Sequence, residues 1–575
     1  MDKKKRTVSK NDASAATAEI RPKWSNSPLI PAVVVVLLLL PFAGKAVHID
    51  DPLFIWSAQQ IQKHPFNFYG FNVNWDRREM PIYEVTKNPP LASFYIAAIG
   101  SFFGYREITL HIGFILPAVA VAVGTFYLSR YFCSSAFAAA LIAVLNPVFL
   151  VSATTLMCDV MMLAFWVWAL YFWIGGIEAG KQWYLLLAAV LTIFCVMTKY
   201  FGLSLIPLMA VYAISRKPRF GRWIVYWLLP FVAIILYQWW TFSLYGKGLL
   251  SDAHSYASKV DRWDFQIALK AILISLAFTG GCFISVLFYS CLSWHRRTLL
   301  KSIVPAAVLV SLLYFFPLSR YAEVQGGGKF RSDLMVTMGL MIIGGISLLA
   351  LAIDELRKHR DLKTLFIFLW IIGTFVFTGF INWTINARSL LPIAPAAGIL
   401  IASRLEQRGI SGWFKRLAPL VPAGLIAVAV AWADYSHANS ARAAVEVVRK
   451  AGFASDNTWF EGHWGFQYYM EQAGFKPLDF KTPKVSVGDF LIIPNNNTDI
   501  LTPPLNIASP KKDFEFIPCS WVATMNPVCG AGFYSCLFGP VPFMFGRIPP
   551  EIYHVLEIKS TWRKRPPKAN DGRPM

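Results

Sequence analysis

Two adjacent acids, in the order His48-Ile49-Asp50-Asp51-Pro52, follow the first long apolar run of this chain, and Thr86-Lys87-Asn88-Pro89-Pro90-Leu91 comes some way later. A charge at the edge of a bilayer is costly to hold there and marks function by default. Three more ionisable residues stand at the ends of apolar segments: Asp159 after Thr154-Thr155-Leu156-Met157-Cys158, Lys199 after Thr198, and Arg388 ahead of Ser389-Leu390-Leu391-Pro392. These residue types combine into one chemistry. A carboxylate takes the proton from an attacking hydroxyl or amine. Lysine and arginine hold a phosphate and stabilise its charge as it leaves. Asp50, Asp51 and Asp159 are therefore the candidate catalytic acids, and Lys87, Lys199 and Arg388 the candidate donor-phosphate ligands. A donor met at the bilayer edge is a lipid-linked phosphate. There is no Walker loop and no Gly-rich dinucleotide turn. Glu84, three residues before Lys87, either pairs with that lysine or helps hold a divalent cation. Asp159 orients the acceptor or such a cation, so the metal stays open, and no other cofactor is indicated.

The elements that must position these residues are membrane helices. The chain is 56% hydrophobic and 15% charged over 575 residues, too apolar for a soluble protein of this length. Apolar stretches of spanning length recur from Leu29 to about Asp434 and then stop. The formal net charge of +21 sits in short basic runs between them, which is the pattern of cytoplasmic loops and not of a nucleic-acid surface. With the N-terminus inside, the first span, Leu29 to Val47, delivers the acid pair outside; a signal peptide cleaved near Ala43-Gly44-Lys45-Ala46 would leave that pair at a free end. Pro89 to Phe103 is short and lies along the interface. Spans follow at about Ile108–Leu128, Ala136–Val151, Met161–Ile174 and Tyr184–Thr198. Even-numbered spans then end at Arg216-Lys217-Pro218-Arg219, His295-Arg296-Arg297, Arg357-Lys358-His359-Arg360, and the group Arg404, Arg408, Lys415 and Arg416. This register gives about thirteen spans and puts every candidate site residue outside, with Asp252, Arg320 and Lys329 on the same face.

The expected organisation is a cytoplasmic tail (1–27), a transmembrane domain (28–434) with a first outer loop (48–107), a small extracytoplasmic α/β domain (435–558) and a basic, Pro-rich disordered tail (559–575). Ser440 to Ala451 has helical periodicity, and Gly488 to Pro494 reads as a buried strand. The aromatic run Trp459 to Gln467 suits core packing or contact with sugar or membrane. The eight cysteines form no zinc motif. Five belong to apolar segments, and Cys519, Cys529 and Cys536 leave room for one disulfide outside. Each site residue also has a plain structural reading. Asp50, Asp51 or Asp159 would cap a helix, and Lys199 and Arg388 would snorkel to headgroups.

The motifs resemble those of membrane-embedded glycosyltransferases of the C-type (GT-C) fold, which include protein O-mannosyltransferases and lipid A aminoarabinose transferases. Asp50-Asp51 with Phe54 and Ala58 resembles the family's acidic pair after the first helix. Pro89-Pro90-Leu91 resembles its Pro-Pro-Leu turn, Asp159 its second acid, Thr198-Lys199 its lysine closing the fifth span, and Arg388 its arginine before a Leu-Pro segment. Asn88 departs from the pattern, because these families carry Lys or His before Pro-Pro. The resemblance spans roughly the first 400 residues. It implies an all-α polytopic fold, a dolichyl- or other polyprenyl-phosphate-sugar donor, and a lipid, glycan or protein acceptor, with Asp50 resembling the catalytic base. The expectation is thus a multi-pass enzyme of the plasma (inner) membrane that transfers a hexose or pentose, mannose among them, on the outer face. The competing reading is a transporter or flippase of lipid-linked sugars. That reading calls for internal repeats and midplane charges, and the chain shows no convincing repeat.

Overall fold

The computed structural model describes residues 23–217, 219, 221–259, 264–315 and 332–560. Residues 1–22 of the expected cytoplasmic tail, 561–575 of the expected basic tail, and Arg320 and Lys329 lie outside these. The fold is mainly helical. Among the described residues seven helices are long and apolar enough to cross a membrane: Glu107–Ser129, Asp159–Ala179, Trp223–Tyr245, Phe265–Cys282, Ser332–His359, Leu362–Ile381 and Trp413–Lys450. The segment Ala136 to Val151 does not form the straight span expected. It is two helices, Ala136–Val144 and Pro147–Ala153, bent by 66°. Pro147 lacks the amide that would continue the first helix. Counting the bent pair as one span gives eight by length and composition, fewer than the expected thirteen or so. Several expected spans are short: the Gln182–Thr198 helix has 17 residues, about 25 Å of rise against a hydrocarbon core of about 30 Å.

Side-chain size and sequence pattern explain the packing. Only 17% of the apolar window of Trp223–Tyr245 is buried, and Ile235, Leu236, Trp239 and Phe242 point outward. The Phe265–Cys282 and Ser332–His359 helices instead meet backbone to backbone. A Cβ on Gly280 would stand 1.7 Å from the Met341 carbonyl oxygen, so only glycine permits that approach. Arg404 joins the ends of two basic-tipped helices, with Nη1 2.6 Å from Glu355 and Nη2 2.8 Å from Asp354.

Pro89 to Phe103 becomes a helix over Leu91–Phe103. The expected first outer loop, residues 48–107, also holds the Asp51–Lys63 helix and a hairpin, Asn72–Trp75 against Arg78–Pro81. The hairpin's two turn residues, Asp76 and Arg77, both have positive φ (48° and 62°), as the type I′ form of a two-residue hairpin loop requires. The Leu420–Lys450 helix runs unbroken through position 434 into the C-terminal region. Beyond it lies a five-stranded sheet in the order Lys476–Pro477, Thr458–Phe460, Phe490–Pro494, Glu551–Ile558, Ala508–Phe516. The strand expected to end at Pro494 sits at its centre, with Leu491, Ile492 and Ile493 buried.

Candidate functional site

The adjacent acids occupy different environments. Ile49 has φ +46°, unusual for a β-branched residue, and the chain turns there into the Asp51–Lys63 helix. Asp51 is fully buried. Its Oδ2 accepts the His48 amide at 3.0 Å and its Oδ1 the Leu156 amide at 2.9 Å. It thus ties the segment that follows the first apolar helix to the turn that delivers Asp159. Burial pushes its carboxyl up to about 7, while Lys45 and the two amides pull the other way. Asp50 keeps a side chain 32% exposed and lies 3.2 Å from Arg388 Nη2.

Arg388 is aimed by local structure. Asn386 caps the following turn by accepting the Ser389 amide at 2.9 Å. The Ala387 amide donates to the Phe533 carbonyl, and the guanidinium lies 5.3 Å over the Tyr534 ring. Burial lowers the guanidinium's pKa, but the Asp159 and Asp50 carboxylates outweigh it and raise it. Asp159 opens the Asp159–Ala179 helix and is buried. Its Oδ1 accepts from Lys199 Nζ at 2.5 Å, and its Oδ2 lies 3.6 Å from Arg388 Nη1. Lys199 reaches it because the chain is extended there, at φ −154° and ψ 134°, between two helical segments. Asp50, Asp159, Lys199 and Arg388, from four distant segments, therefore meet. Two buried atoms of this cluster, Asp159 Oδ2 and Arg388 Nε, have no hydrogen-bond partner among the described residues.

Lys87 stands in an adjoining cluster. Its Nζ donates to Asp252 at 2.5 Å and to the Glu84 carbonyl at 2.9 Å, beneath the Tyr256 ring. Lys247 lies 3.3 Å from Asp252 and 3.9 Å from Glu84. The Glu84 carboxylate therefore faces Lys247, and Lys87 pairs with Asp252 instead of with its near neighbour in sequence. The clusters adjoin through Asn88, whose Oδ1 is 3.7 Å from Cys158 Sγ. Glu84 and Asp159 face cations and do not converge. No group of three or more His, Cys, Asp or Glu among the described residues is placed to hold a metal ion.

Sequence reasoning missed one buried network behind the site. Lys45 and Asp434, both fully buried, pair at 2.5 Å. Asp434 also accepts from Tyr534 at 2.7 Å and Thr524 at 2.8 Å, and Lys45 donates to Thr154 at 3.2 Å. The signal was a lone base and a lone acid near the ends of the first and last apolar runs. In the aromatic run, His463 is buried, stacked 4.4 Å from Trp75, and within 3.5 Å of Asp499.

Residues 87–242 match the family model described as dolichyl-phosphate-mannose-protein mannosyltransferase. No curated protein matches the chain. Among solved structures, the Archaeoglobus fulgidus oligosaccharyltransferase with a tethered acceptor peptide is 13% identical with TM-score 0.45, over 79% of this chain and 64% of that one. ArnT from Cupriavidus metallidurans bound to undecaprenyl phosphate is 11% identical with TM-score 0.42, over 81% and 93%. The S. cerevisiae protein O-mannosyltransferase Pmt1-Pmt2 complex bound to the sugar donor is 15% identical with TM-score 0.31, over 40% and 34%. The chain thus spans under two thirds of the archaeal protein's length. The matched segment contains Lys87, Asp159 and Lys199, and its family is among the C-type membrane glycosyltransferases that the motifs resemble.

Proposed function

We propose that the protein transfers a sugar from a polyprenyl-phosphate donor to a lipid, glycan or protein acceptor at the outer face of the plasma membrane. In this reading the chain crosses the membrane many times, with a cytoplasmic N-terminus and the sheet-bearing domain outside. The observation that carries the reading is the meeting of Asp50, Asp159, Lys199 and Arg388 within 2.5 to 3.6 Å contacts.

The acceptor hydroxyl or amine attacks the anomeric carbon and passes its proton to Asp50. The bond between that carbon and the phosphate oxygen breaks, and polyprenyl phosphate leaves with the electron pair. No carboxylate is bonded to the sugar, so the donor's configuration inverts. Arg388 and Lys199 stabilise the charge on the departing phosphate, and the unpaired Arg388 Nε–H is a donor ready for it. Lys87 contacts the same headgroup from the adjoining cluster. Asp159 pairs with both Lys199 and Arg388 and so offsets the mutual repulsion of two cations held at one site. Asp51 holds the loop that presents Asp50.

The test supplies the purified protein with labelled polyprenyl-phosphate sugars. Wild type should cleave the donor in the presence of acceptor. Asp50→Asn should fold, bind polyprenyl phosphate and transfer nothing; normal turnover in that variant refutes the role of base.

A further inference from the structure

An open groove of about 660 Å³ runs between the first outer loop and the C-terminal domain, and the chemistry above does not use it. The Asp51–Lys63 helix forms one side, with Trp56, Gln59, Gln60 and Lys63 on a single face at positions i, i+3, i+4 and i+7. The hairpin adds the amides of Asn72 and Asn74, and the sheet domain closes the other side with Trp459, Glu471 and Lys476. Both indoles are held in place. Trp56 packs 6.3 Å from Tyr468, and Trp459 donates its ring N–H to Asp489 at 3.0 Å, with Lys476 5.7 Å above its ring.

The lining selects a ligand class. Three lysines, completed by Lys484, face three carboxylates, completed by Glu79 and Asp479. The groove has no net charge, in contrast to a site for a phosphate chain. Four planar amides make it too polar for a lipid tail. Its volume falls in the range of small-ligand sites, about 300–1,000 Å³. An uncharged ligand that offers C–H faces to indoles and a dense set of hydroxyls to amides and carboxylates is a carbohydrate. Trp56 lies six residues along the helix from Asp50, about 9 Å, and Lys63 thirteen, about 20 Å. That is farther than one sugar ring spans.

We propose that this groove binds an oligosaccharide, and that the acceptor is a glycan whose remote units lie here while its reacting hydroxyl reaches Asp50. The second half of this rests on the transferase reading; the binding of glycan does not. The test presents full-length protein in detergent to an array of hexose, hexosamine and pentose oligosaccharides beside unglycosylated Ser/Thr-rich peptides. Wild type and Asp50→Asn are expected to bind at least one oligosaccharide series. Trp56→Ala and Trp459→Ala should each weaken binding by about tenfold or more. Gln59→Ala and Lys476→Ala, on the solvent side, should weaken it several-fold and decide the matter if the tryptophan variants misfold. In transfer assays with the bound glycan as acceptor, the same variants should raise KM more than they lower kcat. Binding of no glycan, binding of peptide instead, or affinity indifferent to all four variants overturns the proposal. Glycan binding with no donor cleavage overturns the transferase reading and leaves the groove standing.

Discussion

At the scale of single residues, the two neighbouring acids differ because the protein buries Asp51 and leaves Asp50 part-exposed. Both carboxylate oxygens of Asp51 accept backbone amides, so Asp51→Ala leaves two buried amides without partners and should destabilise the protein by a few kcal/mol. Asp50→Asn should leave unfolding unchanged while transfer is lost, and thermal unfolding beside a transfer assay separates the two. The pair itself was legible in the sequence. The resemblance singled out Asp50 as the base, but the burial of Asp51 was not legible, because one partner that holds it, the Leu156 amide, lies 105 residues away. Arg388 touches Asp50, Asp159 and the Tyr534 ring at once, which suits a planar fork and not a point charge. Arg388→Lys should therefore reduce the rise in Tm that added polyprenyl phosphate gives wild type, a change read by thermal unfolding with and without the lipid.

At the scale of elements, the Lys45–Asp434 pair fastens the first apolar helix to the last. Removing one partner leaves a buried charge unpaired, which costs about 3–5 kcal/mol. Lys45→Met and Asp434→Asn should each lower Tm sharply, and the double variant should lose less than the sum of the two, as a double-mutant cycle in detergent would show. In the sheet domain, burial pushes the Glu461 carboxyl up to about 8, although the Leu501 amide and Arg77 pull it down. A carboxyl that holds its proton more tightly when folded stabilises fully below its ordinary value near 4.5. That contribution is lost as pH rises through about 8. Tm should fall over that window, and Glu461→Gln should flatten the fall. Element type was readable where periodicity and length agree, as in Glu107–Ser129 and Asp159–Ala179. It failed at residues 136–153, where the apolar run hides a bend at Pro147.

At the scale of the molecule, the charge rule placed distant basic clusters on one side, and the ion pairs of Arg404 with Glu355 and Asp354 do bring two of those ends together. Sidedness follows from the reading proposed above and is open to measurement. Lys511→Cys, on an exposed strand, should add a site labelled by a membrane-impermeant maleimide in intact cells beyond that of the parent protein. The composition changes near Asp434, yet one helix, Leu420–Lys450, runs through that point. Tyr534 and Thr524 from beyond that point hold Asp434, and Phe533 holds the backbone next to Arg388. Hydropathy cannot see this, because the contacts join a polar segment to an apolar one.

The unbroken helix from Leu420 to Lys450 has a practical corollary for anyone building hybrids of this protein. A graft spliced where the hydropathy drops would cut a rigid rod and separate Asp434 from the two hydroxyls that steady it. A workable exchange would carry the whole rod together with everything downstream, and would inherit the wall behind Arg388 with it.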